Sequence, residues 1–169
     1  MRVVGEKIEP FHFGSSTKAL FGLYHIPRPG PMRDCAVVLC YPMGHEYIQF
    51  HRALRLLAER LCSIGFLVLR FDFYGCGDSS GDSDEGRIDQ WLTDVSAAIN
   101  TIKHKSGLLK LCLIGLRLGG SLSMIVGAER GDVDGLVLWD PVVSGTAYLE
   151  ELKRLHQQML RKAHVILKH

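Results

Sequence analysis

The sequence predicts an α/β domain built on a mostly parallel sheet, and three observations predict it. Strand-length runs rich in β-branched and aromatic residues alternate with longer runs of helical period. The inner runs, such as Cys35-Ala36-Val37-Val38-Leu39-Cys40, are apolar throughout, the pattern of a strand covered on both faces. The chain has 169 residues, 47% hydrophobic and 22% charged, which suits one soluble domain with a single core.

The elements follow in order. Residues 8–13 and 19–26 read as an N-terminal antiparallel hairpin about the turn Gly14-Ser15-Ser16. Pro27-Arg28-Pro29-Gly30-Pro31 is a rigid surface loop, because each proline fixes φ and removes a donor. After the strand at 35–40 comes a loop, 41–47, and a helix whose apolar positions Ala53, Leu54, Leu57, Ala58 and Leu61 recur at helical spacing until Gly65. Residues 66–71 form the next buried strand. A Gly/Ser/Asp-rich loop, 74–86, leads into a helix carried by Ile88, Trp91, Leu92, Val95, Ala98, Ile99 and Ile102. Residues 109–114 are expected as a third inner strand, 119–129 as a helix and 136–139 as a fourth inner strand. Past Pro141, Leu149, Leu152, Leu155, Met159, Ala163 and Ile166 step by three or four, so the tail is an amphipathic helix with a basic outer face. The expected division is a core over 1–144 and a helical segment over 145–169.

Charge and composition exclude several classes. Lys+Arg number 20 against 18 Asp+Glu, a net charge of +2. It is unevenly spread: residues 1–150 carry −2 and residues 151–169 carry +4, so no nucleic-acid surface is expected. No apolar run approaches the roughly 18 residues of a membrane span, and the first residues lack a signal peptide's apolar stretch; the expectation is a cytoplasmic protein without a membrane partner. Five cysteines without a C-x-x-C pair argue for reduced core residues rather than a disulfide framework or structural zinc. His45 and His51 stand six apart, not the four of a helical zinc motif, so no metal is expected. Gly75-Cys76-Gly77 followed by Gly81 is one residue too long for the dinucleotide fingerprint, and no P-loop is present, so no cofactor is expected.

The chemistry-bearing stretch is Gly115-Leu116-Arg117-Leu118-Gly119, where a buried strand turns through spaced glycines into a helix. That is the context of the nucleophile elbow G-x-S-x-G, with arginine at its centre. Three further segments stand in a matching order: Leu39-Cys40-Tyr41-Pro42-Met43-Gly44-His45-Glu46; the run from Arg70 to Asp82, similar to R-x-D-x-x-G-x-G-x-S; and Ile88-Asp89-Gln90-Trp91-Leu92-Thr93-Asp94-Val95. Together they resemble the α/β-hydrolase superfamily, in its serine-aminopeptidase-like and esterase-like branch, over roughly residues 19–150.

The resemblance implies a three-layer α/β-hydrolase sandwich, cut off after its sixth strand and a lid-like helix, and an activity on ester, thioester or amide bonds. It also implies an oxyanion hole from the backbone amides of Met43 and Leu118. The nucleophile is missing, because a guanidinium stays protonated and cannot attack a carbonyl. Ser121, one helical turn on, is the displaced-nucleophile candidate, and Asp140 is the candidate acid, with the alternative that it caps the next helix. His156, His164 and His169 read as surface groups, so no triad is visible. Arg117, with His45 and Glu46 at the pocket mouth, could instead bind a small carboxylate or acyl ligand; alternatively Arg117 pairs with Asp72 or Glu46 at a decayed site. An unprotected sheet edge would favour a homodimer.

Overall fold

A computed structural model describes residues 6–28 and 32–166. Pro29 to Pro31 of the proline loop and His169 lie outside these residues, as do the side chains of Ala163, His164 and Ile166. In chain order the elements are β1 (Glu6–Gly14), β2 (Ala19–Pro27), β3 (Cys35–Cys40), α1 (His45–Ser63), β4 (Leu67–Phe71), α2 (Ile88–Ser106), β5 (Lys110–Leu116), α3 (Leu118–Arg130), β6 (Gly135–Trp139) and α4 (Gly145–Ile166).

The six strands form one sheet in the order β1-β2-β4-β3-β5-β6. The expected hairpin is present, with Glu6 opposite Pro27 and Gly14 opposite Ala19. β2 joins β4 antiparallel, while β3 pairs parallel with both β4 and β5, and β5 pairs parallel with β6.

Alternation along the strands sends side chains to two faces, and each face finds helices. Ala36, Val38 and Cys40 of β3 point with Leu69 and Leu113 toward α2 and α3, meeting Val95, Ala98, Ile99, Ile102, Leu122 and Val126. Val37 and Leu39 point the other way with Val68, against Ala58 of α1. This makes the three layers that the sequence predicts.

The strand at 136–139 departs from expectation. It is not an inner strand: among the described residues β6 pairs only with β5, and Leu136, Val137 and Trp139 are exposed. An apolar run reads identically in a central strand and in an edge strand, because only the neighbours differ. The cysteines are all free, as expected, but only Cys40 and Cys62 are fully buried.

Candidate functional site

Two strand-to-helix turns bring the site together at the carboxyl ends of β3 and β5. Gly44 enters α1 with φ 60° and ψ −130°, and Arg117 enters α3 with φ 53° and ψ −122°. The two turns have nearly the same backbone, although one is built on glycine and the other on arginine, whose Cβ makes such a conformation cost on the order of 1–3 kcal/mol. Close packing enforces it. A Cβ at Gly119 would collide with the carbonyl oxygens of Tyr41 and Cys40, and one at Gly115 would stand 2.5 Å from the carbonyl oxygen of Gly119. The spaced glycines thus let β5, α3 and the end of β3 pack backbone to backbone, which is the elbow shape expected from the sequence.

Arg117 is clamped. Its Nε donates to Glu46 Oε1 at 2.7 Å, its Nη1 to Asp140 Oδ2 at 3.0 Å and its Nη2 to Glu151 Oε2 at 2.7 Å. The guanidinium also lies over the Tyr148 ring, 5.3 Å from its centroid, and Tyr148 donates to the other oxygen of Glu46 at 2.7 Å. These partners come from four places: the start of α1, the end of β6, and two positions on α4. The hydrogen bond that Arg117 donates to Glu46 leads the rise in the Arg117 pKa, so the group stays a cation. Burial, then the Glu46 hydrogen bond, pushes the Tyr148 hydroxyl well above its usual range.

Of the two acids weighed as partners of Arg117, the structure selects Glu46. Asp72 instead accepts from Tyr47 Oη at 2.8 Å and from the Asp78 amide at 3.1 Å. Asp140 does not cap α4. It sits at φ 47° facing Arg117, and Ser144 Oγ takes the Ala147 amide. Ser121 is nearly buried, and its hydroxyl donates to the Val142 carbonyl at 2.7 Å.

Under α4 lies an apolar cavity of about 500 Å3 that is lined by Met43, Cys76, Trp91, Leu118, Tyr148 and Leu152 among others. The two residues whose amides are expected to hold an oxyanion, Met43 and Leu118, both line it. His45 and Glu46 do not, contrary to the reading that puts them at the pocket mouth. His45 Nε2 meets the Gln49 side chain at 2.9 Å, Glu46 turns toward Arg117, and Gly44 takes the lining position. Burial raises the Cys76 thiol pKa, so that cavity-lining group remains a protonated thiol. A smaller pocket of about 210 Å3 holds Arg117, Asp140 and Glu151 and shares Val142 and Tyr148 with the first.

Tyr148 and Glu151 were not singled out from the sequence. Their signals were present, however: Tyr148 stands one turn before Leu152 on the apolar stripe, and Glu151 is the single acid of the basic segment 151–169. Among the described residues no cluster of His, Cys, Asp and Glu is arranged to hold a metal ion, and no helix is long and apolar enough to cross a membrane.

A strand-ordered sheet, an elbow at β5 and a loop after β3 sharing one cavity define an α/β-hydrolase domain. Residues 33–169 match the family model described as serine aminopeptidase, S33, and the chain belongs to that family. Among curated proteins it is 32% identical over 86 residues to the human mitochondrial palmitoyl-protein thioesterase ABHD10, an alignment covering 50% of this chain and 27% of that one. Among solved structures it resembles Est1E of Butyrivibrio proteoclasticus, with ferulic acid bound (TM-score 0.67, 24% identity, covering 78% of this chain and 52% of that one). It also resembles the Pyrococcus furiosus esterase Pf2001 (TM-score 0.67, 21% identity, 80% and 51%). The chain therefore spans about a quarter of that curated relative and about half of those structures.

Proposed function

We propose that this hydrolase-family domain binds an acyl ligand without cleaving it through residue 117. The apolar cavity takes the acyl chain, the amides of Met43 and Leu118 face its carbonyl, and Arg117 meets a carboxylate head in the adjoining pocket. One observation carries this reading: the position that holds the nucleophile in a G-x-S-x-G elbow is filled by a cation whose three nitrogens are all engaged by carboxylates. Two of those acids, Asp140 and Glu151, are exposed, so an incoming carboxylate can exchange with either while Glu46 stays in place. α4, which supplies Tyr148, Leu149 and Leu152 to the cavity wall, then acts as a lid.

The test is thermal. Decanoate is expected to raise the melting temperature of the wild type, and Arg117→Ala to abolish the rise; an equal rise in the variant overturns the role of Arg117. A serine-reactive fluorophosphonate probe is expected to leave the protein unlabelled.

A second reading, hydrolysis of an ester, thioester or amide by another nucleophile, is favoured by membership of a hydrolase family. Labelling of Ser121 together with ester turnover would select it over the first.

A further inference from the structure

A third pocket, sharing no lining residue with the other two, opens on the α1 side of the sheet between β2, β4 and the first turns of α1. Its volume is about 200 Å3, the share of roughly seven water molecules at about 30 Å3 each. Arg70 of β4 forms its deep wall and is 6% exposed. Its Nε donates to His25 Nε2 at 2.9 Å and its Nη1 to Tyr41 Oη at 3.1 Å. Neither of these partners is a carboxylate, and burial raises the Tyr41 pKa, so the phenol is neutral. None of the ion pairs among the described residues involves Arg70. A buried cation with no carboxylate among these hydrogen-bond partners favours an anion beside it.

The same pocket also carries the other sign. Asp72 and Asp78 line it, with Asp78 exposed and Asp72 half-buried. The rings of Tyr41, Tyr47 and His51 line it as well, packed on one another with centroids 5.5–5.9 Å apart; such faces attract a cation. Phe21 and Leu23 complete the lining with apolar surface. A simple anion meets two carboxylates here and a simple cation meets Arg70. A small molecule bearing both charges a few atoms apart meets each with its opposite.

We propose that this pocket binds a free α-amino acid with an aliphatic side chain, its carboxylate on Arg70, its ammonium toward Asp72, Asp78 and the aromatic faces, and its side chain against Phe21 and Leu23. The proposal is independent of what occupies the acyl cavity.

Calorimetric titration of the chain with L-leucine tests it, with acetate and isobutylamine as single-charge controls. Saturable one-to-one binding of L-leucine is expected, at least tenfold tighter than either control. Asp78→Asn, a change at an exposed side chain that leaves the fold intact by its melting temperature, is expected to weaken L-leucine at least fivefold, and Arg70→Gln to abolish binding. Equal binding of acetate or of isobutylamine overturns the proposal, as does unchanged affinity in Asp78→Asn. Absence of saturable L-leucine binding by the folded wild type overturns it as well.

Discussion

Arg117 and Arg70 are both withdrawn from solvent, both at the ends of parallel strands, yet they are held in opposite ways. Arg117 is ringed by three carboxylates from α1, the β6 end and α4. Arg70, deeper still, has an imidazole and a phenol as its hydrogen-bond partners. The difference teaches that a buried arginine is not one kind of feature. The first ties α1, the β6 end and α4 to the elbow through three carboxylates, two of which are exposed. The second leaves its positive field directed into a pocket, where a ligand can meet it.

The largest test breaks the turn that presents Arg117. Gly119→Ala drives a Cβ into the backbone carbonyls of Cys40 and Tyr41, atoms that cannot rotate away. A loss of about 3 kcal/mol or more is expected in urea denaturation, and a variant within about 1 kcal/mol of wild type would mean that the elbow is looser than described.

Next in size is Arg117→Met. It strands Glu46, which is 7% exposed, with Tyr148 as its remaining side-chain donor. About 2 kcal/mol of stability should be lost, and adding Glu46→Gln should restore at least half of it in the same measurement. The matching change at the other site, Arg70→Met, takes a donor from His25 and Tyr41 but orphans no carboxylate, so its cost should be about 1 kcal/mol, below that of Arg117→Met. Equal losses at the two sites would erase the contrast between them.

Glu151→Gln removes one exposed arm of the clamp. Global stability should fall by about 0.5 kcal/mol, while hydrogen exchange along α4 should quicken more than exchange along α1. Smallest is a surface comparator. Asp132 accepts from Arg130 and Lys103, and the Arg130 hydrogen bond, then that of Lys103, holds its carboxyl well below the usual range. A depressed carboxylate pKa stabilises the fold above about pH 4 and loses that contribution as acid titrates the native state. Asp132→Asn should therefore lower stability at pH 7 by less than about 1 kcal/mol, with the deficit shrinking as the pH falls toward 2.

The legibility of these features varied with their range. The hairpin, the two covered strands and the elbow were visible because each is encoded within a few consecutive residues: alternation, an unbroken apolar run, two glycines four apart. Met43 and Leu118 could be placed on one cavity because two such local motifs meet at strand ends. The status of β6 was not visible, since exposure of Val137 and Trp139 depends on what lies beside the strand. His45 and Glu46 were assigned to the pocket mouth because they follow the right loop, but the first turn of α1 rotates Glu46 toward Arg117 and leaves Gly44 at the cavity.

The sequence by itself determined the alternation of strands and helices, the closeness of the backbones at Gly115 and Gly119, and the presence of a permanent cation where the elbow carries its central side chain. Tertiary structure alone decided what each arginine faces. Glu46 lies 71 residues from Arg117, and His25 lies 45 from Arg70. Such pairs form only when strand order and helix placement bring distant segments to one strand end, and no local pattern records which segments those are.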